Sequence, residues 1–172
     1  LIYLYARGEP DSIEAFALNW DYMLAKVDEH IRISIFSAVL VAAIAIPLGI
    51  FISRSSSKII TGTILALANI GQAAPAVGVI ILLALTFGIG WQTAVAALVI
   101  YGLLPVLRNT IIGIAQIDSN VTESAKGMGM RPMQVLLRIE LPLAVPIILA
   151  GFRTALVFSV GVATIATFIN AG

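Results

Sequence analysis

Few side chains in this 172-residue chain could do chemistry, and they fall in four places. The densest polar segment is Glu123-Ser124-Ala125-Lys126-Gly127-Met128-Gly129, which continues through Arg131 and Arg138 to Ile139-Glu140-Leu141-Pro142. A second set, Asn69, Gln72, Pro75 and Gly78, interrupts a long apolar run. Tyr101 and Arg153 stand in two further apolar runs. None of these sets resembles a catalytic constellation. No G-x-x-x-x-G-K-[ST] loop is present to cradle the phosphates of ATP. There is no cysteine, hence no disulfide or thiolate metal site, and His30 cannot hold a metal by itself.

The first segment reads as a docking element. Asp118 or Ser119 can cap a short helix running to about Met128, and Gly127 and Gly129 then stop it and turn the chain. Pro132 suits the first turn of a second short helix, in which Met133, Val135, Leu136 and Leu137 make an apolar surface; Pro142 starts the next apolar run. The result is a compact helical elbow with an exposed apolar face, and such a face in water wants a partner.

The elements that hold these residues belong to a membrane. Hydrophobic residues make up 60% of the chain and charged ones 11%, less than half of the roughly 25% usual in a soluble domain. The mean hydropathy is +1.05, and a domain of this size cannot bury so much apolar surface by itself. A net charge of +1 gives no reason to expect a nucleic-acid partner. Crossing the ~30 Å hydrocarbon core takes about 20 apolar residues. Four spans satisfy this: about 31–52, 59–87, 93–112 and 141–169, with residues 113–140 as the polar loop that contains the elbow. The second span, about 44 Å long as a straight helix, has to tilt or break, and Gly71, Pro75 and Gly78 offer the break. Residues 1–30 read as a separate extracytoplasmic or interfacial segment, with Asp11 capping a helix from Ser12 and with Trp20 and Tyr22 at the interface. This segment is either a docking surface for an external partner or a plain anchor. Cations set the orientation. Arg54 and Lys58 follow the first span; Arg108 stands at the end of the third, and Lys126, Arg131 and Arg138 follow it. The positive-inside rule therefore puts both loops in the cytoplasm and the N-terminus outside.

Asn69, Gln72 and Pro75 lie where the backbone of the second span can open. Irregular backbone in a bilayer is tolerated where it lines a cavity, so this stretch is either part of a substrate path or a kink held by packing against small residues such as Ala73, Ala74 and Ala76. Tyr101 either offers its ring to a cation on that path or packs. Arg153 falls near mid-membrane, and a structural or gating role is expected, with its guanidinium bonded to carbonyls freed by Pro146 or Pro105.

Glu123-Ser124-Ala125, then Gly129, then Ile139-x-Leu141-Pro142 resembles the EAA loop of ABC-importer permeases, with Ser124 in place of the usual alanine. Three further stretches, 101–110, 126–130 and 150–154, are similar to the branch that imports quaternary-ammonium osmoprotectants such as glycine betaine, choline and carnitine. The likeness covers about 29–172, and the first 28 residues match nothing identifiable. The resemblance implies an all-α, polytopic transmembrane bundle of the type I ABC importer permease kind, in a bacterial or archaeal cell (inner) membrane. It implies a second permease chain, identical or not, two ATPase subunits seated on the 113–140 loop, and an external substrate-binding protein or domain. ATP and Mg are then bound by the ATPase, with no cofactor and no catalysis in this chain. Family members carry at least one further span, so both ends read as edges of a longer chain. The coupling loop is shared across substrates, which leaves another small solute, such as an amino acid or phosphonate, as the alternative cargo. Outside the family, a membrane channel or scaffold remains as the other class.

Overall fold

A computed structural model of the chain describes residues 19–55 and 57–171. Helix α1 (Trp20–Arg54) starts at Asn19, whose side-chain carbonyl accepts from the backbone N–H of Asp21 at 2.9 Å. That bond fills a donor which every helix start leaves unpaired. Lys26–Glu29 and Arg32–Asp28, both 2.7 Å, are ion pairs one turn apart on its first third. At 1.5 Å per residue α1 is about 52 Å long, so its charged first turns stand clear of a ~30 Å hydrocarbon layer. The division expected between residues 30 and 31 is therefore not a structural break, since 20–30 form the first part of α1. Hydropathy marks where lipid begins, whereas the Asn19 cap and the local ion pairs let the helix begin earlier. The cap expected at Asp11 lies outside the described residues.

The long second run breaks at its one proline, while Gly71 and Gly78 stay inside the helices on either side. Helix α2 (Lys58–Ala73) and helix α3 (Ala76–Phe87) meet at Ala74-Pro75 with a bend of 101°. Proline has no N–H to continue α2 and biases the residue before it away from helix; Ala74 is extended, with φ −68° and ψ 145°.

Helix α4 (Trp91–Ala115) is the core of the bundle, buried between α1 and helix α7 (Leu141–Ala163). Its register against α1 can be read from the close approaches. Gly49 faces Leu107 and Thr110, Gly102 faces Val41, and the Phe36 ring lies 4.9 Å from that of Trp91. Both helices thus run in the same direction. Against α7 the order reverses, with Gly113 facing Ala144 and Ile147, and Gly151 facing Pro105 and Asn109. Small residues at these crossings let the backbones approach, which is how membrane helices gain packing without a hydrophobic driving force between them. Since α1 and α4 are parallel, the chain between them has to return across the bundle, and the bent pair α2–α3 is that return. With α1, α4 and the 132–163 helix, which are long and apolar enough to cross a membrane, the bent pair counts as a fourth candidate crossing.

The last crossing also departs from expectation. The chain is helical without interruption from Pro132 to Ala163. Helix α6 (Pro132–Val135) passes through a π turn (Leu136–Glu140), in which the N–H of Leu141 donates to the carbonyl of Leu136, straight into α7. Pro142 therefore lies inside this helix rather than starting it. A widened turn directly before a proline gives its ring room and absorbs its missing N–H.

Candidate coupling element and transport path

The elbow is built by helix α5 (Ser119–Gly127) and α6. Asp118 caps α5, accepting from the N–H of Asn120 at 2.9 Å. At the other end the Gly129 N–H donates to the Lys126 carbonyl at 2.9 Å, and the Met130 N–H to the Ala125 carbonyl at 3.1 Å. Those two bonds, with Gly129 at φ +86°, make a Schellman turn. Gly127 remains within α5, so the reversal falls on Gly129 rather than on both glycines. Nothing lies within 4 Å of where a Cβ on Gly129 would sit, and its backbone angle is what favours glycine there. Past the turn, the Arg131 N–H donates to Gln134 Oε1 at 2.8 Å and starts α6.

Of the expected apolar surface, half turns inward. Val135 and Leu136 are buried, while Met133 and Leu137, one turn apart, are 62% and 56% exposed beside Met128 at 76%. Glu123 and Ser124 are exposed on α5 and Ala125 is buried beneath them. Glu123 makes no ion pair among the described residues. Ile139 in the π turn and Leu141 at the start of α7 are half-buried and Pro142 is exposed, so these three form the joint between elbow and span. The element thus presents a carboxylate and a strip of flexible apolar side chains, suited to a groove on another protein.

The break in the second crossing is held from α4. The Tyr101 hydroxyl donates to the carbonyl of Ala74, the last residue before Pro75, and the Tyr101 ring is only 6% exposed. The ring is enclosed by the chain rather than offered to a passing cation. One turn back along α2, Asn69 Oδ1 accepts from the Arg108 guanidinium at 2.9 Å. Gln72 is half-buried and Pro75 exposed. Arg153 is exposed on the outward side of α7 and makes no hydrogen bond or ion pair among the described residues. The carbonyl bonds expected of it are thus not made among the described residues. Nearby on α4, Asn109 Nδ2 donates to the carbonyl of Pro105 at 2.8 Å.

Sequence reading missed two partners. Arg108 and Arg54 serve there only as topological cations, yet Arg108 holds Asn69 and Arg54 forms an ion pair with Glu140, 86 positions away. No local signal couples such distant residues, because the pairing follows from helix packing.

A bundle of apolar helices with a turned elbow before its last crossing has counterparts among known proteins. The family described as "Binding-protein-dependent transport system inner membrane component" matches residues 45–172. The chain belongs to that family. Members are the permeases of ABC importers, non-enzymatic membrane components that work with a separate ATPase subunit and a substrate-binding protein. Among curated relatives of this permease is the carnitine transport permease protein OpuCD of Listeria monocytogenes serotype 1/2a (strain 10403S). It is 42% identical over 160 residues, which are 93% of this chain and 71% of the relative. The glycine betaine/carnitine/choline transport system permease protein OpuCD of Bacillus subtilis (strain 168) is 40% identical over 157 residues, 91% of this chain and 68% of the relative. The choline transport system permease protein OpuBB of the same organism is 38% identical over 160 residues, 93% and 73% of the two chains. Among solved structures, a chain of the MetNI methionine ABC transporter in inward-facing conformations superposes with a TM-score of 0.74. It is 21% identical, with 90% of this chain and 79% of that chain covered, a likeness of fold.

Proposed function

We propose that this permease forms, together with a second permease chain, the translocation path for a quaternary-ammonium osmoprotectant: glycine betaine, choline or carnitine. The observation that carries the substrate class is the set of relatives at 38–42% identity over at least nine-tenths of the chain, whose names specify carnitine, choline and glycine betaine. Two ATPase subunits, which bind ATP and Mg, dock on the elbow at Glu123, Met128, Met133 and Leu137, and an external binding protein delivers the solute. Gly129 sets the angle of the elbow, and Ile139, Leu141 and Pro142 carry its movement into α7. Asn69, Gln72 and Pro75 line the path at the bent pair, with Tyr101 bracing the break from behind.

The N-terminus faces outward. Arg54 and Lys58 lie at the same end of the bundle as Lys126, Arg131 and Arg138, as the Arg54–Glu140 pair requires. Asp21, Asp28 and Glu29 lie toward the other end of α1. The positive-inside rule makes the first end cytoplasmic.

The test is uptake of labelled betaine, choline and carnitine in cells that depend on this system, with growth at high osmolarity as a second readout. Uptake of these solutes and restored growth support the assignment. Uptake of amino acids with none of the three would overturn it.

A further inference from the structure

The elbow is tied to two crossings of the bundle, and only one of the ties is covalent. The π turn passes its movement to α7 along the chain. The second tie is the ion pair between Glu140, at the end of that π turn, and Arg54, the last residue of α1. The Glu140 side chain is 13% exposed and that of Arg54 is 41% exposed, so the carboxylate lies well out of water. Arg138 and Arg131 are nearer to Glu140 in sequence, yet the partner among the described residues is Arg54. A cation at a helix C-terminus is favourable against the helix dipole, so α1 positions Arg54 for this contact before the elbow arrives.

We infer that Arg54 is a positioning residue for energy coupling: through Glu140 it makes α1 move with the elbow, so that two crossings respond to the ATPase instead of one. Three features of the fold support this. The π turn is where the 132–163 helix is wound differently from its surroundings, a place where a helix can shift register. Glu140 lies at the span side of that turn, so a shift there displaces its carboxylate. And α1 packs along α4 in parallel, from Phe36–Trp91 to Gly49–Thr110, so a pull on its end is felt along the helix that carries Tyr101 and Arg108. A charge pair with one member largely desolvated is directional and costly to leave half-made, which suits a tie that has to survive a conformational cycle.

This inference rests on the elbow being the ATPase-docking element, and its test keeps the two apart. The assembled complex is reconstituted in vesicles, and ATP hydrolysis is measured with and without loaded binding protein, normalised to permease content. Arg54→Glu and Glu140→Arg are each expected to lower the ratio of stimulated to unstimulated hydrolysis about tenfold. The double variant, with the charges exchanged, is expected to recover at least half of the ratio. Glu140→Gln, which keeps shape and hydrogen-bonding capacity, is expected to fall between. If the single variants fail to assemble, recovery of both assembly and stimulation in the exchanged pair supports the tie, and an exchanged pair that assembles without stimulation overturns it. Full stimulation in either single charge reversal also overturns it. If the charge reversals keep stimulation while Gly129→Val loses it, the elbow stands and the tie falls. If Gly129→Val and Glu123→Lys both keep stimulation, the elbow reading falls and the tie that rests on it falls too.

Discussion

The hydroxyl of Tyr101 and the carbonyl of Ala74 are hydrogen-bonded across the break in the second crossing, from one helix to another. Pro75 follows Ala74 and contributes no N–H, and the last carbonyls of α2 have no acceptor role left to fill within their own helix. Within a bilayer such a carbonyl has to be satisfied by protein or by a water-lined cavity. Tyr101→Phe leaves it bare, at a cost on the order of 1–3 kcal/mol. The complex carrying Tyr101→Phe should melt several degrees lower in detergent and import more slowly, while still reaching the membrane. Unchanged melting and import would show that the break is held by something else.

Gly129 separates backbone conformation from space. With φ at +86° and nothing within 4 Å of a built Cβ, a substitution there is limited by strain alone. Asparagine tolerates that region and a β-branched side chain does not. Gly129→Asn should therefore retain most of the uptake, whereas Gly129→Val should insert normally and lose uptake together with binding-protein-stimulated ATP hydrolysis. Glu123→Lys should match Gly129→Val in both assays, because it reverses the exposed charge of the docking face. Equal uptake by the valine and asparagine variants would rule out the positive φ as the requirement.

Gly151 poses the opposite case. A Cβ there would lie 2.7 Å from the Pro105 carbonyl and 2.7 Å from Asn109 Cβ, contacts that backbone cannot yield cheaply. Gly151→Val should push α7 off α4 and sharply reduce the folded fraction on detergent extraction. Gly62→Ala, where nothing lies within 4 Å, should express like the unaltered protein. The pair is scored by size-exclusion profiles of the extracted complex.

An unpaired guanidinium on the outward side of a membrane helix is costly against lipid, so the face around Arg153 has to be covered by protein or water in the assembly. Arg153→Ala and Arg153→Lys should both lower the yield of assembled complex, since lysine cannot make the planar, multiple bonds of arginine. Normal assembly with altered substrate affinity would instead place Arg153 on the path.

Single cysteines report orientation in a chain that has none. An impermeant thiol reagent on intact cells should label Asp21→Cys and Ile89→Cys and leave Lys126→Cys unlabelled until the membrane is opened. The reverse pattern would put the elbow outside and remove it from the ATPase.

What the sequence by itself determined is whatever a short stretch of backbone decides alone. The break at Ala74-Pro75, the Asp118 cap and the turn at Gly129 are such features, because proline, a capping carboxylate and glycine act on their own neighbours. The apolar runs were legible for the same reason: three helices and one bent pair are long and apolar enough to cross a membrane. Tertiary structure decided the partners. That Arg54 meets Glu140, that Tyr101 caps Ala74, that Val135 and Leu136 turn inward while Met133 and Leu137 stay out, and that a π turn fuses the elbow to the last crossing all depend on how α1, α4 and α7 pack. The apolar pattern says that a helix crosses the membrane, but it is nearly the same on every side of such a helix. Which side meets which neighbour is set by small residues at the crossings and by long-range polar bonds, and these exist only once the helices are together.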